Sequence, residues 1–395
     1  MIKEAIAAQK EGWRFTPAEA LTGPRFEPAG MPASQPPLGG RVLCPVGFHR
    51  AALVNGRLEA KHSLLKLPAG VSVESLAGAD DLKDLLGRAA PADLPLAALA
   101  SEKAKDGFVV RIGRHTRVDK PIHLIHLAES SANRAESAHA RVLILLEPGA
   151  SAEIVEEYAS FGDAPFWTNV RAQVVLSEGA SLKHYRVVRQ GAQGRLTVSV
   201  EAEIGRHARY ESHAFNLGGL FAREDVRATM AGEGADAAFN GLALLSGTEF
   251  ADHHTVVTHA TVGGTTRQLY KAVLDDKSRF VFDGLIHVKP GAQKTDAQVY
   301  NKNLLLSEDA RVNTNPEFKI LADDVSCKHG GAVGQMSQEA LFYLRSRGVG
   351  ADDARRLLVY AFGSEMIERV TLEPLRAALG EALHGRTPEA AEEKA

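Results

Sequence analysis

The chain has 395 residues, 45% hydrophobic and 24% charged, with a formal net charge of -3. That length exceeds one ordinary core, so two or three domains or one elongated repetitive core is expected. The balanced charge leaves no basic excess for a phosphate backbone and argues against nucleic acid as a partner. Two cysteines, Cys44 and Cys327, exclude a disulfide scaffold and fit a reducing compartment. With no signal-peptide core and no apolar run of about 20 residues, the expectation is a cytoplasmic protein without a membrane span.

From Met1 to about Asp106 the texture is helical and loop-like. Gly23, Pro24, Pro28, Gly30 and Pro32 break one stretch, Ala79 to Ala100 is rich in Ala, Leu and Asp, and Arg41 to Val54 could supply a strand or two. Residues 1–106 are therefore read as a mixed, mainly helical N-terminal domain. At Gly107 short alternating runs begin, among them Phe108-Val-Val-Arg-Ile, Ile122-His-Leu-Ile-His-Leu and Val170-Arg-Ala-Gln-Val-Val-Leu, and these read as strands. Related corners separate them: Glu147-Pro-Gly-Ala, Ser177-Glu-Gly-Ala, Gly232-Glu-Gly-Ala, Lys289-Pro-Gly-Ala and Ser307-Glu-Asp-Ala. This is an internal repeat of irregular period.

Helix-length apolar patterns are scarce between Gly107 and Val325, so βαβ units are excluded and a solenoid, sandwich or barrel remains. Repeated corners, small residues and an aromatic share of only 6% favour a parallel β-helix over residues 107–333. After Gly334, Leu341 and Leu344, then Ala354, Leu357, Leu358, Ala361 and Phe362, then Met366, Ile367 and Val370 fall at helical spacings. Residues 334–383 read as a helical C-terminal domain and 384–395 as a disordered tail.

Cys327 and His329 stand two apart just before the helix signal that starts at Ser337. On a strand such residues share a face and lie roughly 6 to 7 Å apart, so thiolate and imidazole could address one metal centre. Two ligands are too few for a complete site, which usually takes about four. The plainer alternative is a small buried cysteine beside a hydrogen-bonded histidine. Lys328 and Lys319 would favour the thiolate if they lie nearby.

His253 and His259 share strand parity while His254 faces the other way, which suits either a polar ladder or metal ligands. Acids at Asp275, Asp276, Asp283, Asp296, Asp323 and Asp324 raise a carbohydrate-active β-helix enzyme, a lyase or glycosidase. A purely structural solenoid is the third reading. No phosphate loop, nucleophile elbow or dinucleotide fingerprint is present in the sequence.

Tyr270-Lys-Ala-Val-Leu-Asp, Gln293-Lys-Thr-Asp-Ala-Gln, Asn301-Lys-Asn-Leu-Leu-Leu-Ser, Ala322-Asp-Asp-Val-Ser-Cys-Lys-His-Gly and Leu341-Phe-Tyr-Leu-Arg-Ser-Arg-Gly follow one another in order. With Glu11-Gly-Trp-Arg-Phe-Thr-Pro17 near the start, the chain resembles the SufB/SufD family, scaffold subunits of the Suf iron-sulfur cluster assembly system. The SufB type has His-Glu-Ala-Thr-Thr-Ser where this chain has His329-Gly-Gly-Ala-Val-Gly334, and it carries a cysteine near the segment matching Asn301 to Leu306. Gly330 stands in place of that acid and no cysteine lies nearby, so the chain is similar to the SufD type.

The resemblance implies a right-handed parallel β-helix between helical end domains and a non-catalytic scaffold role. It implies pairing with a SufB-type subunit, with His329 and Cys327 at the shared interface where a transient iron-sulfur cluster forms. It also implies docking of a SufC-type ATPase by the C-terminal helices, with Leu341, Phe342, Tyr343, Leu344 and Arg347 as candidates, and ATP-driven opening of the interface. No permanently bound cofactor is expected. Reduced flavin in the assembled complex, and a homodimer of the isolated chain through edge strands near Val325, are left open.

Overall fold

The computed structural model describes residues 2–9, 11–31, 38, 42–43, 47–130 and 134–385. Cys44 and the tail beyond residue 385 lie outside them. The fold is mainly β, a parallel solenoid with helices at both ends.

One face stacks Asp106–Ile112, Glu136–Leu146, Phe166–Leu176, Gly194–Ile204, Phe221–Met230, Phe250–His259, Arg279–Val288 and Arg311–Ile320. The other stacks His49–Val54, Ile122–Glu129, Ser151–Phe161, Ser181–Arg189, Arg209–Asn216, Asp236–Leu245, Thr265–Leu274, Thr295–Leu305 and Val325–Gln335. Successive rungs pair in parallel: Phe221 lies beside Phe250 and Phe250 beside Arg279, an advance of 29 residues per coil there.

The repeated corners explain this stacking. In each, the alanine turns inward: Ala150, Ala180, Ala208, Ala235, Ala292 and Ala310 are at most 1% exposed. The preceding residue often takes the left-handed conformation, with φ of 69° at Gly149, 66° at Gly179 and 64° at Gly234, which glycine adopts without a Cβ penalty. Corner amides then bond the next coil: Gly149 N–H donates to the Glu178 carbonyl, Gly179 to Arg206 and Gly234 to Val262. His207, with φ of 51°, holds the equivalent place and donates to Glu233.

The N-terminal segment is more closely built into the solenoid than a separate helical domain would be. His49–Val54, buried at five of six positions, four of them apolar, forms a rung beside Ile122–Glu129. Val71–Ser75 caps Asp106–Ile112 in antiparallel pairing. The helices there are short: Ile2–Ala8, Glu19–Thr22, Lys83–Leu86 and Pro95–Lys103. His49–Val54 is a strand of the kind expected within Arg41 to Val54.

Inward side chains form one continuous apolar core from Ala51 to Ala322. It also encloses a chain of charged groups. Glu156, fully buried, accepts from His184 Nε2 at 2.8 Å and from the Tyr158 hydroxyl at 2.6 Å. Arg186 pairs with Glu224, which also meets His253 Nδ1 at 3.1 Å. Hydrogen bonds and paired charges hold the Glu156 and Glu224 carboxyls below their ordinary range despite burial, which acts the other way.

Three C-terminal helices, Gln338–Ser346, Ala351–Ile367 and Glu373–Gly385, pack outside the second face through Val359, Met366, Leu375 and Leu379 onto Phe215, Leu242 and Leu244. Lys271, buried, donates to the Phe362 carbonyl at 2.9 Å and pairs with Glu365 at 2.5 Å, fixing the middle helix to its rung. His384 and Gly385 complete the last helix rather than beginning a tail. Leu357, expected on the apolar stripe, is 48% exposed. No helix among the described residues is long and apolar enough to cross a membrane.

Candidate functional site at the open end of the solenoid

The last coil consists of Arg311–Ile320 and Val325–Gln335, and among the described residues no further coil covers it. Register determines which side chains face the lumen. Val312, Thr314, Pro316 and Phe318 sit over Phe280, Phe282, Gly284 and Ile286, while Cys327 and His329 sit over the buried Ala297 and Val299. These positions would be core in any earlier coil. Here the lumen is a mouth, and side chains that point inward meet solvent.

Cys327 is the inner of the pair, half-buried and packed against the apolar core. Burial pushes its thiol up, and the Asp296 charge adds to this, against a lowering by a backbone hydrogen bond at Ala297. The thiolate expected from Lys328 and Lys319 is therefore not favoured: Lys328 belongs to the opposite strand parity, and neither lysine acts on the thiol.

His329 is exposed and held from across the lumen. Its Nδ1 lies 2.9 Å from the Pro316 carbonyl and its ring 5.0 Å from the Phe318 ring. A carbonyl can only accept, so Nδ1 donates, which leaves Nε2 as the ring nitrogen available to a ligand. That is how an outer hydrogen bond orients a ligating histidine. Pro316 and Phe318 had no separate signal; their strand alternation was readable, but their nearness to His329 needs the solenoid to close.

Among the described residues no group of three or more His, Cys, Asp or Glu is placed to hold a metal ion. The three other histidines are not a single ladder. His253 belongs to the Arg186–Glu224 chain inside the core. His259 meets the Thr266 hydroxyl at 2.8 Å, and burial holds its pKa down to about 4. His254 faces outward and meets Asp252 at 2.8 Å. Asp252 in turn accepts from Thr16 at 2.5 Å and from Arg223 at 2.8 Å, while the Arg223 guanidinium lies 4.2 Å from the Trp13 ring. The Trp13 to Pro17 segment is thus strapped across a distant rung.

The acids weighed for sugar chemistry are dispersed. Asp276 caps a corner by accepting from Gly247 N–H, Asp296 pairs with Arg267, and Asp324 lies at another corner, where its N–H donates to Gln293. On the C-terminal side, Ser337 caps the helix Gln338–Ser346 by accepting from Ala340 N–H. That helix leaves Phe342 75% and Tyr343 58% exposed, with Arg347 stacked 5.3 Å from the Tyr343 ring. Leu341 packs inward on the second face, and Leu344 is half-buried.

Residues 127–362 match the family described as "SUF system FeS cluster assembly, SufBD core domain". The iron-sulfur cluster assembly protein SufD of Escherichia coli (strain K12) is 32% identical over 391 residues, covering 98% of this chain and 91% of that protein. An iron-sulfur cluster assembly SufBD family protein of Synechocystis is 29% identical, covering 95% and 86%. The chloroplastic protein ABCI7 of Arabidopsis thaliana is 28% identical, covering 93% and 79%. Fold, motif order and relatives agree: the chain belongs to the SufB/SufD family of iron-sulfur cluster assembly proteins, as a SufD-type member.

Proposed function

We propose that this chain is a non-catalytic scaffold subunit whose open solenoid end completes a cluster-assembly site together with a SufB-type subunit. The single supporting observation is His329 at the lumen mouth, its Nδ1 donating to the Pro316 carbonyl so that Nε2 is left for a ligand, and its ring clamped by Pro316 and Phe318, with too few companion ligands among the described residues. The iron-sulfur cluster is cargo. Cys327, protonated and partly covered, serves as a second donor only when the partner displaces solvent and supplies charge. Pairing runs through Val325–Gln335, because the other open edge contains Pro316 and lacks one amide.

The exposed Phe342 and Tyr343, with Arg347, form the docking face for a SufC-type ATPase, and movement of that helix carries force to the terminal coil through the Ser337 cap. Co-expression with SufB-type and SufC-type subunits followed by size-exclusion chromatography should give one complex. In cells lacking the native subunit, His329→Ala should leave that complex intact and abolish cluster maturation. Normal maturation by His329→Ala would remove the histidine's role. A homodimer unaffected by the other subunits would remove the pairing.

A further inference from the structure

A cavity of about 470 Å³ opens near the other end of the solenoid, between the N-terminal segment, the helix Pro95–Lys103 and the outer side of the first face. Its wall is aromatic: Phe26 and Trp167 lie 5.7 Å apart, and Trp167 and His139 meet edge to face at 5.4 Å. Lys3, Arg57, Lys103 and Lys105 also line it, and no carboxylate does among the described residues. Lys103 additionally reaches Glu102 at 2.7 Å, leaving the cavity with a net positive lining.

The polar atom at the wall is set by a chain of hydrogen bonds whose direction is fixed. The Trp167 indole N–H can only donate, and Thr197 Oγ1 receives it at 2.9 Å. The Thr197 hydroxyl therefore gives its own proton to Asn169 Oδ1 at 2.8 Å. That places the Asn169 amide nitrogen toward the Leu96 carbonyl at 2.9 Å and His139 Nδ1 at 3.2 Å. Nδ1 accepts, so the neutral imidazole carries its proton on Nε2. Asn169 and Thr197 are at most 2% exposed, which makes the chain rigid. Burial first, and the Lys103 charge second, hold His139 neutral at ordinary pH by lowering its pKa to about 4.

We propose that this cavity binds a small planar aromatic anion, its ring against Trp167 and Phe26, its acid group among the lysines and Arg57, with His139 Nε2–H as a neutral donor. Volume, apolar wall and a few convergent polar groups are what such sites require. This binding lies far from the open end and is independent of cluster assembly.

The chain has two tryptophans, Trp13 and Trp167, so Trp13→Phe leaves Trp167 as the sole reporter. Titration of that variant with 8-anilinonaphthalene-1-sulfonate should quench Trp167 saturably at one site. Uncharged N-phenyl-1-naphthylamine should bind more weakly. Adding Lys103→Ala and Lys105→Ala should weaken the anion about tenfold and leave the neutral probe unchanged. His139→Leu, which keeps the apolar wall and removes the donor, should also weaken only the anion. Absence of saturable quenching, equal binding of the two probes, or indifference of the anion to either substitution would each overturn the proposal.

Discussion

The interior coils and the terminal coil use the same geometry and reach opposite outcomes. Inside, polar groups that point into the lumen meet partners from their own or nearby rungs: Glu156 with Tyr158 on its own strand and His184 on the next, Glu224 with Arg186 and His253. The pairing is not complete even there, since both ring nitrogens of His213 and both amide atoms of Gln190 are buried without a hydrogen-bond partner, but every interior coil is covered on both sides. A solenoid stabilises each coil by the next, so the last one is defined by what it lacks. Cover on both sides in the middle and its lack at the mouth are two consequences of one stacking rule.

The comparison breaks most sharply if Glu224 can be removed cheaply. Glu224→Ala leaves Arg186 buried and unpaired, and it should cost about 3 to 5 kcal/mol in urea unfolding. The double variant Arg186→Met/Glu224→Leu should recover most of that loss. A cost near zero for the single change would mean that the interior network is solvated.

Mild acid comes next. Burial places His139 and His259 near pKa 4, below the ordinary value of about 6.5 for an unfolded histidine. The unfolded chain therefore binds more protons across that window. Stability is full above about pH 6.5 and falls as pH drops towards 4, by up to about 3 kcal/mol per histidine. Unfolding midpoints measured from pH 7 to 4 should show this slope, and it should flatten in His259→Leu.

Asp252→Ala should cost about 2 kcal/mol, because Thr16, Arg223 and His254 lose a shared acceptor. Limited proteolysis should then cut near Arg14 before the coils unfold. His329→Ala should have the smallest structural effect, within about 0.5 kcal/mol of the parent, measured by thermal unfolding. A large loss there would mean that the mouth is core and not an interface.

Much of the solenoid was legible because its corners repeat an inward alanine after a turn residue, and its strands alternate. A strand within Arg41 to Val54 was legible, but its place as a rung beside Ile122–Glu129 was not, because that pairing needs the solenoid to close. The charged interior was not legible at all. Glu156, Arg186 and Glu224 share the parity of their strands' core residues, but their charge suggests an outward place, and their pairing spans two coils, as between Arg186 and Glu224, 38 residues apart. At the candidate site, residue types, spacing and the resemblance singled out His329 and Cys327, but their difference in exposure could not be read from the sequence. The thiol is raised and half-covered, whereas the imidazole is oriented and open.

The strap from Trp13 to Pro17 has a consequence for biosynthesis. Thr16 bonds Asp252, 236 residues further along the chain. At ribosomal speeds of about 5 to 20 residues per second, the first segment emerges tens of seconds before its docking site exists. It must wait beside the growing stack, and its closure comes after the rung bearing Asp252 has formed.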